Sequence, residues 1–473
     1  MARYRSGTEP ASSTTRLDPD TRRLVAVFLA GAVLPLLDTT IVNVALDRLA
    51  AVFHAPVSTI QWVVTGYAMA TALAIPVSAW AVRRFGGRRM WLFSLATFLA
   101  GSVLCGLAPN VGILVASRVV QGIGGGMSMP VLQTLLVRSA GQRQARRAMA
   151  AIGFPTVIAP VVGPVIGGVI VDGASWRWVF LVNVPVCLVA LVWAWRGVPP
   201  TESDGSARLD GPGLALLAPG LVALVYALSR ATGPEELAGW PFLLSFAVSL
   251  VLLAVFGRYA LRTVREPVMD LRLFTVPSFT GAALTLWLSG IVFYGSLVLL
   301  PLYYQQVPGY SVLGAGLVLA SQGVGALLAR SLSGRGTDRV GTRAIVLAGL
   351  VAAVMGTLPF AVLDGGLRAW LLAGLVVRGA GLGIVTVSVM GAAYHDVPRE
   401  SVAHASAVSR ILLQLGAALG AAAVTTVLAW QVDAGTAADL EHAYQVTFRW
   451  LLVATAVTAV PALALPGRHP GGR

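Results

Sequence analysis

Stretches of about twenty apolar residues recur fourteen times along this chain, and nothing else limits its fold as strongly. They lie at roughly 24–46, 60–82, 91–108, 111–135, 148–171, 178–196, 211–229, 240–260, 277–301, 312–333, 343–363, 370–394, 405–430 and 446–466. A helix needs ~20 apolar residues to cross the hydrocarbon core of a bilayer. Inside that core the backbone must satisfy its own polar groups, so each run reads as a helix. The chain is 56% hydrophobic and 11% charged, where a soluble domain carries about 25% charged residues. The expected fold class is an all-α polytopic membrane protein. Residues 1–23 are polar and the first run is long enough to span, so no cleavable leader is expected.

The net charge of +14 comes from arginine alone, with no lysine in the chain. The arginines fall between apolar runs, where topology explains them, so a nucleic-acid partner is not expected. Short loops after even-numbered runs carry Arg83, Arg84, Arg88 and Arg89; Arg138, Arg143, Arg146 and Arg147; Arg258, Arg262, Arg265 and Arg272; and Arg335, Arg339 and Arg343. Loops after odd-numbered runs are poor in arginine. The positive-inside rule then places both termini in the cytoplasm. The arginine, alanine and glycine usage suggests a GC-rich bacterial gene, hence a bacterial inner membrane.

An internal repeat is present. Arg84-Phe85-Gly86-Gly87-Arg88 returns as Arg339-Val340-Gly341-Thr342-Arg343, 255 residues later. Gln121-Gly122-Ile123-Gly124 returns as Arg378-Gly379-Ala380-Gly381, 257 residues later. Two echoes at nearly one offset argue for two related six-helix halves, at 24–196 and 277–466. The segment 197–276 is then a linker carrying two inserted helices, with short tails at 1–23 and 467–473. Related halves around a midplane site are the architecture of secondary transporters.

Asp38 is the only carboxylate well inside any run. A charge at the bilayer centre costs at least ~2.5–3.5 kcal/mol, and such residues commonly handle protons or ions and have a partner. Asp38 stands eight residues before the end of its run and Arg118 seven after the start of its own. At 1.5 Å per residue both lie roughly 10–12 Å from the same boundary. Pairing favours the charged form of a carboxyl and burial the neutral one. A substrate or a rearrangement that weakens the pair could therefore move a proton; the alternative is an ion pair that only fixes one helix to another. Gly122, Gly124, Gly125 and Gly126 form a small-residue face for close helix approach. Pro155, Pro160, Gly163, Pro164, Gly167 and Gly168 describe a kinked, grooved helix, suited either to the interface between moving halves or to a static bend. Arg378 lies deep in a run without an acid; it could bond carbonyls or contact an anionic or acceptor-rich substrate group. Trp287 and Tyr294, both mid-run, are pocket candidates for flat lipophilic cations. Cys105 and Cys187 read as free buried thiols. No P-loop, metal-ligand cluster or nucleophile–base arrangement stands out, so neither an enzyme nor a cofactor is expected.

These motifs resemble the major facilitator superfamily, and within it the fourteen-helix drug:proton antiporter family. Leu37-Asp38-Thr39-Thr40-Ile41-Val42-Asn43-Val44-Ala45-Leu46 resembles that family's first-helix motif, and Gln61-Trp62-Val63-Val64-Thr65-Gly66-Tyr67 its second-helix start. Arg118-Val119-Val120-Gln121-Gly122-Ile123-Gly124 is similar to the motif whose arginine is linked to proton coupling. Gly163-Pro164-Val165-Ile166-Gly167-Gly168 resembles the antiport motif, and Trp176–Pro185 a segment typical of the fourteen-helix group. The resemblance implies a proton-coupled exporter of small hydrophobic compounds. Asp38 and Arg118 would couple protons, and Asn43, Gln61, Tyr67, Gln121, Trp287, Tyr294 and Arg378 would line the pocket. Gating would fall to Arg84, Gly86, Arg88, Asp338, Arg339, Gly163, Pro164, Gly167 and Gly168. Its partners would be protons, membrane lipids and a small lipophilic substrate, cations included. One departure stands out: Arg83 occupies the place of the family's loop aspartate, so the cytoplasmic latch of this half must differ, while the second copy keeps Asp338. A narrow-specificity exporter of an endogenous metabolite, lipid or self-made antibiotic, or a non-transporting scaffold or sensor, are the other readings.

Overall fold

The computed structural model describes residues 19–201, 208–230, 238–263, 267–269, 271–362, 368–393, 402–432 and 440–467, together with 203, 205 and 397. Side chains are described throughout except at 19–25, 32, 79, 137–161, 229, 330–339, 368, 391, 402–404 and 406–407. The first bundle comprises α1 (Pro19–Val44), α2 (Leu46–Phe53), α3 (Val57–Ile60), α4 (Trp62–Phe85), α5 (Gly87–Gly106), α6 (Val111–Gly173), α7 (Trp178–Leu181) and α8 (Asn183–Gly197). Two further long helices follow, α9 (Gly211–Arg230) and α10 (Trp240–Arg262). The second bundle comprises α11 (Pro277–Gln306), α12 (Val312–Val340), α13 (Thr342–Val362), α14 (Arg368–Ala392), α15 (Val402–Val432), α16 (Leu440–Val457) and α17 (Ala459–Ala462). Among the described residues, 13 helices are long and apolar enough to span a membrane, with a shorter apolar stretch at Val162–Gly173.

One expected boundary is corrected. Runs four and five, expected as separate helices joined by a loop, both lie in α6, with no loop residues between them. Arg118 of α6 lies against Asp38, and Gly163 of α6 lies against Thr40. These two points are about 45 residues apart, and an unbent helix would separate them by about 68 Å. The segment therefore reverses direction between them, so two crossings are retained.

The helices of each bundle pack mainly among themselves. Small residues bring backbones into contact: a Cβ on Gly122 would stand 2.6 Å from the Tyr67 carbonyl, and one on Gly126 2.6 Å from that of Thr71. The bundles meet along two seams, α6 against α12 and α4 against α15. α9 lies over the second seam: Leu217, Leu221 and Val225 pack with Met69 and Ile75 of α4 and with Ile411 and Leu415 of α15. Thr426 of α15 donates a hydrogen bond to the Leu228 carbonyl of α9 at 3.0 Å. α10 lies further out, with Leu243, Leu244, Leu250 and Val251 exposed.

The repeat is visible in backbone geometry. Gly86 and Gly341 both end a helix at positive φ, 87° and 90°, a region where an L side chain is strained. Two residues on, Arg88 donates to the Trp195 carbonyl at the end of α8, and Arg343 donates to the Leu465 carbonyl just past α17 at 3.0 Å. Each arginine thus ties the start of its helix to the end of its own bundle.

Candidate functional site: a buried acid–base cluster

Asp38 sits three residues past Pro35, which cannot donate a backbone hydrogen bond inside α1. Its carboxylate is fully buried and accepts from three side chains. Arg118 Nη1 lies 2.5 Å from Oδ2, and Gln121 Nε2 and Asn183 Nδ2 each lie 2.9 Å from Oδ1. Arg118 also donates Nε to the Val63 carbonyl at 2.9 Å and Nη1 to Gln121 Oε1 at 2.6 Å. Its guanidinium carbon stands 4.1 Å from the centre of the Tyr67 ring. Gln121 completes its set by donating to Ser102 Oγ at 2.9 Å. The spacing of Arg118 and Gln121, three residues apart on one helix, puts both on the same face toward α1.

One negative and one positive group, each bonded, make a neutral cluster, which lowers the cost of burying either charge. Protonating Asp38 would leave the Arg118 charge uncompensated in a site without water-exposed surface. Such an arrangement can exchange a proton only if something else changes with it.

Of the sequence candidates, Asp38, Arg118, Gln121 and Tyr67 come together. Asn43 lines a separate cavity between the bundles, of about 20 Å³, bordered by Thr40, Pro164, Ser296 and Gln322. That volume admits roughly one water. Asn43 Oδ1 and both polar atoms of Gln61 meet no protein partner among the described residues. Trp287 and Tyr294 are half-buried on α11 and pack into the α4–α15 cluster. Arg378 is buried with no acid beside it among the described residues, and it donates to Thr357 and Gln322. Arg84 is exposed and Gly86 forms the turn described above, while Arg88 stays within its own bundle. The side chains of Asp338 and Arg339 lie outside the described residues, as do those of Arg138, Arg143, Arg146, Arg147, Pro155 and Pro160.

Gly163, Pro164, Gly167 and Gly168 form a strip between α1 and α12. A Cβ on Gly163 would strike the Thr40 hydroxyl, and one on Gly167 would stand 3.1 Å from the Ile41 carbonyl. A Cβ on Gly168 would fall on Leu313 Cα, and one on Gly316 of α12 on the Pro164 carbonyl. Around this strip the two bundles are clasped on the arginine-poor face. Gln306 Nε2 donates to Asp47 Oδ1 at 2.5 Å, and Tyr444 OH to Gln306 Oε1 at 2.7 Å. Gln305 Nε2 donates to the Val44 carbonyl at 3.1 Å, and the Leu313 N–H to Asp172 Oδ2 at 2.9 Å.

Asn183 was missed as a ligand of Asp38. It is the sixth residue of its run, about 7.5 Å from the boundary against about 12 Å for Asp38, so the depth argument pointed to it less sharply than to Arg118. Thr357 and Gln322 carried no such signal.

Two helical bundles with interrupted helices, meeting around buried polar groups, define a multi-pass membrane transporter. The chain belongs to the Major Facilitator Superfamily, whose family profile matches residues 28–421. It is 34% identical to the Multidrug resistance protein B homolog of Mycobacterium tuberculosis, an alignment covering 100% of this chain and 94% of that protein. It is 28% identical to the Multidrug export protein EmrB of Escherichia coli, covering 85% of this chain and 79% of that one. In fold it is similar to a D-xylose–proton symporter (TM-score 0.67, 16% identity, 93% of this chain and 96% of that chain). It is likewise similar to a bacterial homolog of the human lysosomal transporter Spinster in an inward-facing conformation (TM-score 0.65, 17% identity, 95% and 98% covered).

Proposed function

We propose that this protein is a proton-coupled antiporter that exports small hydrophobic compounds across the bacterial inner membrane, with both termini cytoplasmic. The two six-helix halves, 24–196 and 277–466, would move about the interface, with α9 and α10 as an insert between them. The observation that carries the reading is the Asp38 carboxylate, fully buried and held by Arg118, Gln121 and Asn183.

In this reading the clasped arginine-poor face is the outer gate, closed, and substrate loads from the cytoplasm or inner leaflet. When the outer gate opens, a proton reaches Asp38. Its arrival leaves Arg118 without its counter-charge, which destabilises the cluster and promotes the rearrangement that releases substrate to the outside. Return of the proton to the cytoplasm then resets the cluster. The membrane potential adds ~2.3 kcal/mol per charge per 100 mV to the proton gradient.

The test is dye movement in everted vesicles under an imposed proton gradient, comparing wild type with Asp38→Asn. Gradient-dependent uptake by wild type that disappears in Asp38→Asn, at equal expression, is the expected outcome. Uptake that persists in Asp38→Asn would remove Asp38 from coupling.

A further inference from the structure

The two bundles share a wiring pattern but not its charges. In the first, a Cβ on Gly101 would stand 2.5 Å from Gln121 N, a Cβ on Gly122 would meet the Tyr67 carbonyl, and Gln121 donates to Ser102. In the second, a Cβ on Gly356 would meet Arg378 N, a Cβ on Gly379 would meet the Gln322 carbonyl, and Arg378 Nε donates to Thr357 Oγ1 at 3.0 Å. The offsets of 255 and 257 residues thus carry Ser102 onto Thr357, Tyr67 onto Gln322 and Gln121 onto Arg378. Arg378 stands where the first bundle has a neutral amide that donates to Asp38.

Among the described residues of the second bundle, none takes the part of Asp38. The same offsets lead from Asp38 to Phe293 and Gly295, and α11, α13, α14 and α15 contain no acidic residue. Arg118 maps to Leu375. Arg378 is 1% exposed, and its Nη2 meets no partner among the described residues. A buried cation left without a counter-charge is strongly destabilising, so the pattern asks for an anion that none of the described residues supplies.

Gln322 connects this group to the interface. Its Oε1 accepts from Arg378 Nη1 at 2.9 Å, an orientation fixed because guanidinium only donates. Its amide N–H₂ is therefore turned away from the guanidinium, and Gln322 lines the cavity between the bundles. Arg378 Nη2 and the Gln322 amide N–H₂ are the donors this pair leaves for an acceptor-rich group.

We propose that Arg378 and Gln322, positioned by Thr357, bind a compact anionic group, a carboxylate or sulfonate, on a lipophilic exported molecule. The ligand would fill in the second bundle the place that Asp38 fills in the first. This rests on the exporter reading for its physiological role, but the binding site itself can be tested separately.

Two xanthene dyes of opposite charge, fluorescein and a rhodamine ester, are titrated into the full-length protein in nanodiscs and followed by fluorescence polarisation. Wild type is expected to bind fluorescein, and Arg378→Gln to bind it about tenfold more weakly or worse, as for loss of a charged hydrogen bond. Rhodamine binding should not change. Gln322→Glu supplies the missing counter-charge from within; it should raise the unfolding temperature and abolish fluorescein binding, and it carries the test if Arg378→Gln does not accumulate. Fluorescein binding equal to wild type in either variant, or a wild type that binds only rhodamine, overturns the proposal. Gradient-driven movement of both dyes in everted vesicles separates the two readings. Rhodamine transport without fluorescein binding leaves the exporter and removes the anion site; Arg378-dependent fluorescein binding without transport of either dye does the reverse.

Discussion

Replacing Gly168 with alanine tests whether the glycine strip on α6 holds the arginine-poor face shut. The new Cβ would fall on Leu313 Cα and stand 2.8 Å from Leu313 N and 2.9 Å from the Val312 carbonyl. Carbon atoms in contact rest about 3.5–4.0 Å apart, so α6 and α12 must separate there by about 1 Å. These neighbours are backbone and cannot rotate away. Overpacking of this kind costs ~1–3 kcal/mol, and it acts on the closed arrangement alone, which corresponds to roughly a 5–150-fold shift toward states in which the helices part. Nitroxide labels at Ala51→Cys and Leu372→Cys, both exposed, report the opening by pulsed electron resonance. The native Cys105 and Cys187 are buried and should not label. Gly173→Ala, on the same helix with nothing within 4 Å, is the matched control. Gly168→Ala should broaden the distance distribution toward longer values while Gly173→Ala matches wild type. Identical distributions for both variants would refute the reasoning.

Two further predictions concern the acid–base cluster. Asn183→Ala removes a 2.9 Å bond to a charged acceptor, worth ~1.5–3 kcal/mol, so its unfolding temperature in detergent should fall; a value equal to wild type would mean that the amide does not hold Asp38. Arg118→Ala strands a buried carboxylate and should cost ~3–5 kcal/mol, whereas Arg118→Ala combined with Asp38→Ala should recover part of that loss. Additive losses in the double variant, measured by thermal unfolding, would show the two groups are not coupled.

The Asp38–Arg118 pair was legible because depth in a membrane helix is arithmetic: count residues from the end of the run and multiply by the rise. The same count puts Asn183 about 4–5 Å shallower than Asp38, and an amide in an apolar run raises no alarm as a carboxylate does. That α6 turns back without an intervening loop was not legible. Apolar character stops near Leu136, but helices stop at caps and breakers, and arginine is a good helix former. The partners of Arg88 and Arg343 were hidden for another reason: each binds a main-chain carbonyl, and carbonyls leave no trace in side-chain sequence. Gln322 and Thr357 become meaningful only once packing sets them beside Arg378.

The position of α9 bears on how a membrane-dissolved molecule could approach. Two lateral seams run between the bundles, and a solute diffusing in the acyl chains would otherwise meet two equivalent doorways. The α4–α15 doorway is roofed by Leu217, Leu221 and Val225 and bolted through Thr426 to Leu228, with α10 standing outside it as a lipid-facing buttress. The α6–α12 seam is closed instead by backbone contact along the glycine strip, so the two seams are unlike and the molecule has a front and a back.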